Sequence, residues 1–205
     1  MALSKIQPAS MDLTANYAFT GTNSIATAVE YAEKKLATLT ASSSATLSFT
    51  SNIDSTYNIY KFKFVNIHPS AYEELGFQGS TDSGSNYNTQ ITSTFFQASH
   101  TEAGSSGLSY LTNYDQANGT NFQRLNYSTY TDNDSNLCGE LFIFDPSSTT
   151  FVKHFIARTQ EHFNNGASDS YASGYFNTTS AIDAIQFKME SGNIDSGTIE
   201  MYGIN

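Results

Sequence analysis

Residues 182–205 read IDAIQFKMESGNIDSGTIEMYGIN, and their alternation decides the fold class. Ile185, Phe187 and Met189 fall on one side of a period-two pattern, with Gln186, Lys188 and Glu190 on the other. Beyond Ser191–Gly197 the alternation resumes. Ile199 and Met201 face one way, while Thr198, Glu200, Tyr202 and Ile204 face the other. Successive side chains of a strand point to opposite faces of its sheet, so each run is a strand with one buried face. The seven-residue, glycine-containing connection between them predicts a hairpin as the last element of the sheet.

The same signal recurs upstream. Strands are expected over Lys35–Thr40, Ala45–Thr50, Tyr57–Ile67, Glu74–Gln78, Thr89–Gln97, Leu108–Asn113, Phe122–Leu125, Leu137–Phe144, Thr150–Arg158 and Tyr171–Phe176. In the longest, Tyr60, Phe62 and Phe64 share one face, and Ile59, Lys61, Lys63, Val65 and Ile67 the other; His68-Pro69 ends it, because proline cannot donate to a ladder. Turn formers separate the runs, as in GSTDSGSNYN (79–88) and Asp145-Pro-Ser-Ser. Ser24–Lys35 offers the one candidate helix, with Ser24 as N-cap. These signals predict an all-β, jelly-roll-like antiparallel β-sandwich over residues 34–205, an extended N-terminal arm over 1–33, and at most one short helix. No fixed-period repeat supports a propeller or β-helix.

Composition agrees with that class and excludes several functions. The 205 residues include 15 Phe and 13 Tyr but no Trp, and only 14% are charged, so Ser, Thr, Asn and Gly carry the surface. Nine Lys and Arg against nineteen Asp and Glu give a net charge of −10, which disfavours nucleic acid and anionic membranes. The single cysteine, Cys138 in LCGELFIF, excludes an intrachain disulfide and reads as a buried apolar thiol. MALSKIQPASM has no long apolar run of the secretory type, and no stretch reaches the length of a membrane span, so synthesis in a cytoplasm without membrane insertion is expected.

Catalytic and metal-binding patterns are weak. His68, His100, His154 and His162 form no HxH or HxxxH pair. Thr131–Asn136 (TDNDSN) opens like a calcium loop but lacks its glycine and terminal glutamate, and reads as a solvated acidic turn. Glu140 is the most noticeable acid, and its expected place is the outward face of its strand. There is no GxSxG, P-loop or GxGxxG, so no catalytic residue, cofactor or metal is assigned. Tyr87, Tyr110, Tyr114, Tyr127 and Tyr130, with Tyr171, lie in polar stretches. Their rings suit stacking on sugars or proteins, and the first five are the candidate recognition residues.

Three segments carry a family likeness: TASSSATLSFTSNIDSTYNIYKFKFVNIHP (40–69), SSTTFVKHF (147–155) and GYFNTTSAIDAIQFKMESGNIDSGTIEMYGIN (174–205). They resemble virion structural proteins of marine tailed bacteriophages, the end motif SGxIxSGTIxxYGI most specifically, and MALSKI is similar to the starts of phage fibre and decoration proteins. The resemblance implies a non-enzymatic virion protein, either capsid-decorating or of head-fibre type, with a tail-associated receptor-binding role as the alternative. Its partners would be phage capsid or tail proteins, with host surface glycan or outer-membrane protein for the second role, and fold analogy adds a homotrimer. Ala2, Leu3, Ile6, Leu13, Tyr17 and Phe19 are the expected anchoring contacts of the arm.

Overall fold

In the computed structural model the described residues are 33–163 and 165–205, all within the unit Ala32–Asn205. Among them the chain forms thirteen strands and no helix. The strands are β1 (Lys34–Thr40), β2 (Leu47–Phe49), β3 (Ile59–Pro69), β4 (Leu75–Ser80), β5 (Ile91–Thr101), β6 (Ser106–Tyr110) and β7 (Ala117–Gly119), then β8 (Gln123–Arg124), β9 (Leu137–Phe144), β10 (Lys153–Phe163), β11 (Gly166–Phe176), β12 (Ala184–Met189) and β13 (Ile194–Ile204). The larger sheet runs β1-β13-β3-β9-β10-β11-β5-β6, with β7 also on β5; the smaller runs β2-β12-β4-β8. Within them, β1-β13-β3-β9 opposite β2-β12-β4-β8 is the eight-strand, double Greek-key order of a jelly roll. Two insertions, β5–β7 and β10–β11, extend the larger sheet beyond β9.

Alternation places the core. Tyr60, Phe62 and Phe64 of β3, Leu137, Leu141 and Ile143 of β9, and Ile199 and Met201 of β13 are buried on the inner face of the larger sheet. Ile185, Phe187 and Met189 of β12 are buried opposite them. The Phe187 ring lies 5.3 Å from Phe62 and 5.4 Å from Phe64 across the sandwich, and 6.2 Å from Phe49 and 6.5 Å from Phe77 within its own sheet. Such tilted and edge-on pairs suit the ring quadrupole, and they fill the space between the sheets without a tryptophan.

Four expectations need correction. The last two strands are not a hairpin: β12 pairs with β2 and β4, whereas β13 pairs with β1 and β3. Alternation tells which face is buried but not which strand lies alongside, and residues 190–193 carry the chain from one sheet to the other. Ile67 is in the core rather than outside. Asn66 takes φ +51 and the register slips between Phe64 and Ile67, so a bulge flips Ile67 inward. Gly197, at φ +109, accommodates it, since a Cβ there would lie 2.4 Å from the Asn66 carbonyl oxygen. The strand then continues to Pro69 at its end. Cys138 is half-buried on the outer face of β9, where its Sγ accepts the Asn66 N–H at 3.3 Å. Finally, the end of the expected helix, Lys34 and Lys35, already belongs to β1; residues 24–32 lie outside the described residues.

The extension β10-β11-β5 has a polar inner face at one end, where Thr159, Glu161, Ser168, Ser170 and Gln97 are buried. It is roofed by residues 111–130, which have little regular structure, so side chains satisfy the buried polar groups instead. Thr159 Oγ1 donates to the Leu125 carbonyl at 2.6 Å, Asn126 Oδ1 accepts from Leu75 N at 2.7 Å, and Gln97 Nε2 donates to Ser168 Oγ at 2.7 Å. Glu161 Oε1 accepts the Tyr127 N–H at 3.1 Å, while Oε2 has no partner. Burial pushes the Glu161 carboxyl up to about 7 from 4.5.

Two predictions follow from this packing. Phe187→Ala removes the ring shared by both sheets and should cost about 3–5 kcal/mol in chemical denaturation. Because the folded pKa of Glu161 is raised, its favourable contribution is complete below about pH 4.5 and lost as pH rises through 7. Urea unfolding of wild type should therefore weaken from pH 5 to pH 8 by on the order of 2–3 kcal/mol through this group, and Glu161→Gln should flatten that slope.

Candidate functional site

The larger sheet has a second, outward face, and one register row crosses eight of its nine strands, all but β7. Thr38 (β1) lies beside Glu200, Glu200 beside Lys63, Lys63 beside Glu140, and Glu140 beside Arg158. Arg158 then lies beside Tyr171, Tyr171 beside Phe96, and Phe96 beside Tyr110 of β6. The row is ionic over the jelly roll and aromatic over the extension. Cross-strand neighbours stand about 5 Å apart, close enough for each to order the next.

Its aromatic half is a built surface. Phe96 and Tyr171 are stacked, with ring centroids 4.7 Å apart and planes at 7°. The Arg158 guanidinium sits 5.3 Å above the Tyr171 ring and grips Asp169 through Nε at 3.0 Å and a terminal nitrogen at 2.6 Å. Tyr171 also donates its hydroxyl to Asp169 at 2.8 Å. The Arg158 hydrogen bond holds Asp169 below its ordinary pKa, and accepting the Tyr171 proton raises that hydroxyl. Tyr110 donates to Asp115 at 2.5 Å, which raises its pKa likewise and fixes its ring. Phe96 remains 40%, Tyr110 54% and Leu108 74% exposed, so the platform is open to solvent.

The ionic half is balanced. Lys35 pairs with Glu200, Lys61 with Glu33 and Arg158 with Asp169, and Lys63 lies between Glu140 and Glu200. Four cations thus meet four carboxylates over this half, and Asp115 on Tyr110 adds one more carboxylate in the aromatic half, so most of the chain's net charge of −10 resides elsewhere. An apolar partner or an acidic one meets the least repulsion here. Three shallow depressions cut the face, one of them, of about 380 Å³, lined by His100, Gln160, His162 and Ala167 at the far end of the extension. Another of about 510 Å³ is lined by Lys63, Cys138, Glu140, Arg158 and Asp169, and the third, of about 450 Å³, by Thr94, His154, Ile156 and Tyr175.

The tyrosines singled out by sequence scatter. Tyr110 lies in the row, and Tyr171 is its centre. Tyr114 points inward: its ring packs 5.1 Å from Phe95, its hydroxyl donates to Glu74 at 2.8 Å, and burial raises its pKa. Tyr127 stacks on Tyr114 at 5.7 Å. Tyr87 is half-buried with an enclosed hydroxyl, folded under a loop whose Asp82 accepts from Asn86 and Ser80 and is held at about 2. Tyr130 forms a separate pair with Tyr72 at 4.5 Å, away from the row. Phe96 and Leu108 were missed, although the Phe95-Phe96 doublet held a clue, since one of two adjacent strand residues must face out.

Glu140 is exposed on the outward face of β9, and Asp132 and Asp134 are exposed in their turn. Among the described residues no three His, Cys, Asp or Glu side chains converge closely enough to hold a metal ion, and no helix is long and apolar enough to cross a membrane. Ala2, Leu3, Ile6, Leu13, Tyr17 and Phe19 lie outside the described residues. No family model, curated protein or solved structure matches the chain.

Proposed function

We propose that the chain is a non-enzymatic structural protein of a bacteriophage virion, of the capsid-decorating or head-fibre type. Residues 1–33 attach it to a capsid partner, and the jelly roll works by surface contact. One observation carries the contact role: the row Arg158–Tyr171–Phe96–Tyr110, exposed at all but the half-buried Tyr171, lies on the nearly charge-balanced face of an otherwise acidic molecule. Ordered aromatics next to a fixed guanidinium are an adhesive surface, because rings give large contact area at little entropic cost. The resemblance of 174–205 to phage structural proteins supports the virion setting, as does the recurrence of jelly rolls in capsids, by analogy of fold. Quantitative mass spectrometry of purified particles tests this. Tens of copies per particle, on heads separated from tails, are expected; absence from particles would overturn the proposal.

A tail-associated receptor-binding role is the second reading, favoured by the exposed apolar strip of Phe96, Tyr110 and Leu108, whose ring edges and aliphatic side chain suit contact with a host glycan or protein. On that reading the double variant Phe96→Ser/Tyr171→Ser should lose binding to host cells at least about tenfold while staying folded, its unfolding free energy lowered by about 1–2 kcal/mol through loss of the stack and of the Arg158 contact. Unchanged cell binding would remove the adhesin role.

A further inference from the structure

The extended sheet ends at β6, SGLSY, whose five residues are all exposed. Leu111 N–H donates to the Phe95 carbonyl and Thr101 N–H to the Ser105 carbonyl, which fixes the hydrogen-bonding phase of the β5–β6 ladder. Ser105, Gly107, Ser109 and Leu111 turn their backbone groups toward β5. Ser106, Leu108 and Tyr110 therefore turn theirs outward, along the edge. Native proteins guard such edges with lysine, proline, bulges or a covering loop. β6 has none of the first three: residues 103–114 contain no charge and no proline, and its pairing with β5 runs without a register shift.

We propose that β6 pairs antiparallel with β6 of a second copy of this chain, joining two larger sheets into one across a two-fold axis at Leu108. A two-fold through Leu108 sets Leu108 against its counterpart and Ser106 against Tyr110 of the other copy. Every outward N–H and C=O of the three residues then finds a partner, which is the requirement of an isologous interface. Charge selects a second copy over an ionic partner. The edge strand is neutral within a chain of net charge −10, and a two-fold at Leu108 puts the two Asp115 carboxylates, each held by its own Tyr110, at opposite ends of the pair, so copies that repel elsewhere meet here without like charges opposed. The small side chains of Ser106, Gly107 and Ser109 allow close approach. On the outer face Leu108, 74% exposed in the single chain, is covered by its twin, and the two Tyr171–Phe96–Tyr110 rows become one platform. A contact of one short strand is at the low end of specific interface sizes, so the dimer dissociates on dilution. This inference does not depend on the virion reading.

Sedimentation velocity of the full chain across a concentration series should show monomer giving way to a species of twice 22.4 kDa. Leu108→Lys should weaken that association at least about tenfold with unchanged thermal unfolding, because Leu108 lies outside the core. Register is tested in a Cys138→Ser background. Opposed residues there stand about 5.5 Å apart between Cα atoms, within disulfide reach. Leu108→Cys should oxidise to a covalent dimer alone. Ser106→Cys and Tyr110→Cys should cross-link when mixed, and neither by itself. A wild-type chain that stays monomeric at the highest concentration, a trimer, or a dimer indifferent to Leu108→Lys would overturn the proposal, as would cross-linking without that register.

Discussion

Phe187 holds the two sheets in contact. It is the residue through which β12, in the middle of the smaller sheet, reaches Phe62 and Phe64 of the larger one. Burying one such ring is worth about 1.5–3 kcal/mol in transfer terms, and aromatic pairs add up to about 1 kcal/mol more. Four rings around one side chain make this the densest contact of the sandwich. With the inner faces committed to it, the outer face of β1-β13-β3-β9 must find other work. The insertions β10–β11 and β5–β7 lengthen that outer face, and they also carry its aromatic half.

The extension is built differently from the jelly roll. Past Phe155 and Ala157 its inner face turns to Thr159 and Glu161, facing Ser168, Ser170 and Gln97, and the roof of residues 111–130 is held by amide and hydroxyl hydrogen bonds. Neutral hydrogen bonds contribute about 1 kcal/mol each, but leaving one buried group unmatched costs more. The polar layer therefore specifies how the roof sits rather than adding much stability. Glu161, with one unmatched oxygen and a raised pKa, is the strained member of that layer. The outer aromatic row is separated from it by one sheet thickness, which lets the surface vary without disturbing the core.

Much of this was readable from residues alone because a half-buried strand writes its orientation into its alternation. Tyr60-Lys61-Phe62-Lys63-Phe64 and Leu137–Phe144 both have the faces their patterns require, and Glu140 points outward. Partnership was not readable. β12 and β13 look like a hairpin because period two is silent about neighbours, and only the packed structure separates them into different sheets. The bulge at Asn66 was hidden because an asparagine at positive φ leaves no mark in hydrophobicity. The second half of β10 and the first of β11 were missed because their inner positions are Thr, Glu and Ser. Of the site, Tyr110 and Tyr171 were found by residue type. Phe96 and Leu108 were not, since an exposed apolar residue is recognised only once its strand has a face.

The outer sheet face as the contact surface is tested most directly by hydroxyl-radical footprinting of the chain, free and in purified phage particles. The prediction is strong protection of Phe96, Tyr171, Tyr110 and Leu108 in the particle, with Tyr72, 47% exposed and away from the row, labelled equally in both. Equal labelling of the four in both states, or protection centred on Tyr72 and Tyr130, would contradict it.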